Sequence, residues 1–191
     1  MRITDVQVLL LTRIHAGEET WYTNDFRSIK ADAVIVVVQT DSGLQGIGEA
    51  SPYGNPTLIR DWITRLRPHL IGRDPLDPLT ALGPTGRSKS YDDAVAGVDI
   101  AIWDLRGKVA GKRVADLLSD HPLDAVRLYA SGGCDYDWRN HPESLIDEVL
   151  GYVANGFTAC KVRIGSRWAY DRVTPDRFLG LMTELHQAVA G

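Results

Sequence analysis

The sequence predicts an α+β domain, a three-stranded antiparallel meander plus helices, followed by the first two βα units of an incomplete (β/α)8 barrel. Three observations predict it. The first fifty residues fall into β-branched and aliphatic runs broken by turn residues. A long stretch with apolar residues at helical spacing comes next. Past about residue 122 the order becomes strand, helix, strand, helix, and Val126 and Thr158 stand about 32 residues apart. That is one βα unit, and eight of them make the roughly 250 residues of a barrel. The expected domains are therefore 1–122 and 123–191.

Composition narrows the function classes first. Of 191 residues, 44% are hydrophobic and 24% charged, enough for a core and against disorder. A net charge of -4 with no dense basic run argues against nucleic acid or an anionic membrane surface as partner. The longest apolar stretch near the start, Val8 to Leu11, is too short for a signal peptide, and no run spans a membrane. Cys134 and Cys160 have no metal-ligand spacing and read as free thiols. A soluble cytoplasmic protein is expected.

Within the meander, Ile3 to Leu11, Ala33 to Gln39 and Leu44 to Glu49 are the expected strands, with a turn at Thr40 to Gly43. The insertion His15 to Lys30 is long, polar and aromatic without a period, and a lid is one use for such a loop. Pro56 to Leu70 predicts a helix burying Leu58, Ile59, Trp62, Ile63 and Leu66. Arg73 to Arg87 reads as a connector. Ser90 with Asp93 suggests the cap of the clearest helix, which carries Ala94, Val95, Val98, Ala101, Ile102, Leu105 and Val109 and stops at Gly111. Trp103, Asp99 and Asp104 inside it fit either function or a buried helix with satisfied polar groups. In the second domain, strands at Val126 to Ala130 and Phe157 to Ile164 alternate with helices at Pro142 to Asn155 and Thr174 to Val189. Two parallel strands with two helices cannot close a barrel, and parallel strands need both faces covered. The chain therefore reads as truncated, or as joining another chain's sheet.

The chemistry-bearing residues sit on the last strand. In Thr158 to Ile164, period two puts Lys161 and Arg163 on one face and Cys160, Val162 and Ile164 on the other. The apolar set would face the helices, so the cations would point into the barrel near the strand's carboxyl end, where barrel active sites sit. Two adjacent cations favour the neutral amine of the lysine, the form that takes a proton. An arginine stays protonated and instead holds a carboxylate or stabilises an enolate. The competing reading is a pair of surface cations on an unpaired strand.

Three segments, Gly43-Leu44-Gln45-Gly46-Ile47-Gly48-Glu49, Ala96 to Lys108 (AGVDIAIWDLRGK) and Gly156 to Gly165 (GFTACKVRIG), in that order, resemble the enolase superfamily in its mandelate racemase and muconate lactonizing branch. The resemblance implies an α+β capping domain on a barrel in which Mg2+ binds a substrate carboxylate and a base removes the proton α to it. It implies lids at His15 to Lys30 and Ser51 to Asn55, with Trp21, Tyr22, Phe26 and Tyr53 as substrate contacts. An aromatic cluster packing the loop on the cap is the alternative. Lys161 falls on the first lysine of the family's Lys-x-Lys motif, while Arg163 replaces the second. Because the second lysine is the family's usual base on that side, the substitution disfavours a two-base racemase and favours a one-base dehydratase, with a base from later in the barrel, acting on a small carboxylate such as a sugar acid. The family's acidic metal ligands lie on the third to fifth barrel strands, so none is expected in this chain, which should be inactive alone. The alternative is a non-catalytic truncated cap or assembly module, self-associating through its exposed barrel half as a homo-oligomer. No P-loop, H-E-x-x-H or G-x-S-x-G is present.

Overall fold

β-Branched residues dominate Lys30–Thr40, and this segment, β4, is the central strand of the main sheet. It pairs antiparallel with β1 (Ile3–Ile14) on one side and β5 (Gln45–Ala50) on the other. The computed structural model describes residues 1–17, 20–22, 27–51, 55–77, 82–83, 86, 88–133, 140–163 and 174–190. Two compact units form: Met1–Ile14 with Lys30–Asp124, and His15–Ile29 with Ala125–Gly191.

In the first unit the meander is as expected, with β1 and β4 longer than the sequence runs suggested. Gly43 closes the β4–β5 turn at φ 82°, its N–H donating to Thr40 O. Val34, Val36 and Val38 alternate toward the helices and are fully buried. Against them lie α1 (Pro56–Leu70) and α2 (Lys89–Ala110). Asn55 caps α1 by accepting the N–H groups of Thr57 and Leu58. Helix α1 buries Ile59, Ile63, Leu66 and Leu70, each burial worth about 1.5–3 kcal/mol. Leu58, expected inside, is 50% exposed because it lies off that stripe. Trp62 packs edge-on to the buried Tyr91, 5.1 Å between ring centroids, and the Tyr91 hydroxyl donates to Leu82 O.

Helix α2 begins at Ser88, not Ser90: Ser88 Oγ accepts the Tyr91 N–H, and Asp93 pairs with Lys89 instead. Gly111 ends it in the left-handed conformation, as its sequence position predicts. Ala94, Val98, Ala101, Ile102 and Leu105 are buried, while Val109 is exposed past the sheet. The α2–β5 contact is too close for side chains. A Cβ on Gly46 would lie 2.0 Å from Ala101 O, and one on Gly48 would lie 2.2 Å from Gly97 O. A short helix absent from the sequence reading, α3 (Val114–Leu118), follows.

The second unit holds β6 (Ala130–Gly132) parallel to β7 (Cys160–Val162), with α4 (Ser144–Ala154) and α5 (Pro175–Ala190). Both strands are shorter than expected, and β6 is displaced, sharing only Ala130 with the expected Val126 to Ala130, because the ladder covers three residue pairs from Ala130 to Gly132 and Val126 to Tyr129 form no ladder bonds. Cys160 and Val162 pack with Leu145, Val149 and Leu181 in a core of their own. The insertion is not wholly irregular: β2 (Trp21–Tyr22) and β3 (Arg27–Ser28) pair antiparallel.

Replacing Gly48 by Ala should cost the first unit about 3 kcal/mol or more, since the added methyl meets backbone that cannot yield; urea unfolding followed by circular dichroism measures it. A second expectation concerns acid. The Arg67 guanidinium, donating to Asp5 at 2.8 Å, holds that carboxyl below the usual aspartate range. The folded chain then binds fewer protons than the unfolded one, so this contribution is present above the unfolded value of about 4 and is lost as pH falls below it. Arg67→Ala should flatten the dependence of the urea midpoint on pH below about 5.

Candidate functional site

Alternation along β7 separates its side chains by chemistry. Cys160 and Val162 turn toward the α4–α5 core, so Lys161 takes the opposite face of the strand and is exposed there. Arg163, one residue past the strand, is exposed as well. On the neighbouring strand Ser131 is the register partner of Lys161 and is also exposed. Among the described residues, the parallel pair thus has one face closed by helices and one open face bearing the exposed cation. The ladder is anchored upstream by Arg127, which donates to Thr158 Oγ1 at 3.0 Å and to Thr158 O at 3.1 Å.

Of the residues implied as substrate contacts, Phe26 and Tyr53 lie outside the described residues. Trp21 and Tyr22 have a described backbone, which forms β2, and their side chains lie outside the described residues. Among the described residues no group of three or more His, Cys, Asp or Glu side chains converges as a metal ion requires.

The motif of α2 has a different task. Asp104 Oδ2 accepts the N–H of Ile47 at 2.8 Å, and Lys108 Nζ bridges Asp104 Oδ2 and Gln45 O at 2.7 Å each. These two side chains occupy backbone groups of β5, a strand at the edge of the sheet, where unpaired groups would otherwise recruit another chain. Arg106 donates to Pro75 O and Asp77 O, and its guanidinium lies 4.9 Å from the Trp103 ring centroid. Asp104, Arg106 and Lys108 are thus scaffold, tying the edge strand and the connector to α2. Sequence reasoning missed Glu148, whose partner is Gly133. The Gly132-Gly133 doublet at the end of β6 was the available signal, since adjacent glycines mark close approach.

Comparison with known proteins adds independent findings. Residues 25–119 match the family model described as mandelate racemase / muconate lactonizing enzyme, N-terminal domain. Over 177 residues the chain is 31% identical to cis-3-hydroxy-L-proline dehydratase of Roseibium aggregatum, covering 86% of this chain and 46% of that one. It is 34% identical over 131 residues to D-galactonate dehydratase of Verminephrobacter eiseniae, covering 65% of this chain and 33% of that one. The chain thus spans less than half the length of either curated relative. A mandelate racemase/muconate lactonizing type protein from Roseovarius nubinhibens, solved as a complex with magnesium, superposes with a TM-score of 0.70. Its sequence is 26% identical, with 88% of this chain and 46% of that one covered.

Asp104→Ala removes the acceptor of the Ile47 amide and one partner of Lys108. The Ile47 amide should then exchange with solvent at least about tenfold faster while buried amides of α2 keep their rates, as hydrogen exchange read by NMR would show.

Proposed function

The chain belongs to the mandelate racemase/muconate lactonizing branch of the enolase superfamily, and from that premise we propose that it forms the cap and the base-bearing strand of an enzyme that abstracts the proton α to a carboxylate. The substrate is a small carboxylate of the sugar-acid type, and dehydration is the favoured outcome, ahead of racemisation or cycloisomerisation. The observation that supports the reading is the position of Lys161, on the open face of β7 and opposite the helix-covered face. In a finished barrel that face is the interior.

In this reading Lys161 takes the proton and Arg163 holds the carboxylate or the enolate. A guanidinium stays protonated and presents a planar fork of donors, so it binds an anion where a second lysine would act as a second base. One base on this side suits a dehydratase, in which the proton is removed and not returned to the opposite face. The grouping of His15–Ile29 with Ala125–Gly191 supports the insertion as a lid; Trp21, Tyr22, Phe26 and Tyr53 are the substrate contacts that the family resemblance implies. Magnesium, which the family and the magnesium complex among its relatives imply, would lend Lewis-acid stabilisation to the enolate. In this reading its ligands lie on later barrel strands, as the family resemblance implies, and residues 1–191 alone are inactive.

A second reading, a non-catalytic cap or assembly module, draws on the second unit's surface. Val126, Leu128 and Leu179 are each more than 60% exposed, and a groove of about 510 Å³ lined by Val149, Phe157, Met182 and Leu185 lies open. Light scattering separates the two readings. Self-association of the purified chain favours the module, and a monomer at high concentration counts against it.

The catalytic reading is tested in two steps. Calorimetry should find no tight magnesium binding by the 191-residue chain; tight binding would contradict the ligand argument. With the chain joined to the remaining barrel of a relative, Lys161→Ala should slow exchange of the substrate's α-proton by roughly 10²- to 10⁴-fold. Full exchange in that variant would remove Lys161 from the reaction.

A further inference from the structure

The carboxyl end of β6 is gripped from the side by a helix. Glu148 on α4 is half-buried, and its two carboxylate oxygens lie 3.1 and 3.2 Å from the backbone N of Gly133. The Tyr152 hydroxyl, one helical turn on, donates to the same carboxylate at 2.7 Å. The two glycines of β6's end fit this grip closely. A Cβ on Gly132 would lie 2.3 Å from Glu148 Oε1 and 2.7 Å from the Tyr152 hydroxyl. A Cβ on Gly133, whose φ is 81°, would lie 2.8 Å from the backbone N of Arg163. Gly133 therefore stands between the carboxylate of α4 and the first residue past β7.

We infer that Glu148 is a positioning residue: by holding the Gly133 amide it sets the carboxyl end of β6 against that of β7, and so fixes where Lys161 and Arg163 stand. The physical reason is that an N–H donating to a carboxylate makes a charge-assisted bond, about twice as strong as one between neutral groups. The ladder between β6 and β7 is only three residue pairs long, ending at Gly132 and Val162. So short a ladder does little to hold its own ends, and a side-chain clamp one residue beyond it carries the register further. The purpose assigned to the clamp rests on the proton-transfer reading of Lys161, while the clamp itself is measurable without it.

Amide exchange and chemical shifts of the labelled 191-residue chain test this. Glu148→Ala should speed exchange at Gly133 by about tenfold or more and shift the amides of Lys161 to Arg163, leaving Leu145 and Val149 close to their original rates. Glu148→Gln, whose amide oxygen still accepts from Gly133, should restore most of the protection. That rescue is the sign of positioning as opposed to bulk packing. Should the Ala variant not fold, Tyr152→Phe removes one bond from the carboxylate and should produce a smaller change at the same amides. Unchanged exchange at Gly133, or shifts confined to α4, would overturn the inference. Failure of the Lys161 substitution to slow proton exchange would sink the catalytic reading without altering these amide rates, so the two failures are distinguishable.

Discussion

The first unit depends on the absence of two side chains. Gly46 and Gly48 let α2 settle onto β5 so closely that any Cβ there would fall inside the van der Waals radius of a helix carbonyl. Close approach brings Ala101 and Leu105 into the core and carries the next turn of α2 to the strand's edge. Only from that distance can Asp104 meet the Ile47 amide and Lys108 reach Gln45 O. A glycine-containing strand, weak by its own propensity, is thereby held by side chains from the helix that its glycines admit.

The same arrangement explains why the residues that most resemble a family's sequence are not its reactive groups. Asp104, Arg106 and Lys108 bind backbone atoms of β5 and of the connector, so their value lies in geometry. A motif of this kind identifies a scaffold reliably and says little about the bond being broken. The chemistry in the proposed reading falls to the second unit, where Lys161 has far less structure around it.

That second unit has the opposite economy of contacts. Its core is small, built on Leu145, Val149 and Leu181 with partly buried neighbours. Among the described residues, one face of the β6–β7 pair is closed by helices and the other is open, a state in which parallel strands are poorly stabilised. Side-chain anchors compensate at both ends of the ladder, Arg127 to Thr158 at one and Glu148 to Gly133 at the other. The clamp and the open face are two consequences of a short parallel pair whose apolar side chains all turn one way.

Local pattern alone determined much of this protein. The β-branched run Ala33 to Gln39 marked a strand, helical spacing marked α1 and α2, and Gly111 marked the end of α2, because each depends on neighbours close in sequence. Alternation also separated Lys161 from Cys160 and Val162 before any fold was known. Tertiary structure decided the rest. Ser88, not Ser90, caps α2 because the first turn starts two residues earlier than the charged pattern suggests, and Leu58 stays outside the core because it lies off the stripe of Ile59, Ile63, Leu66 and Leu70. The brackets from Asp104 to Ile47 and from Glu148 to Gly133 span 57 and 15 residues. No local period encodes a hydrogen bond whose partners meet only after helix has packed on strand.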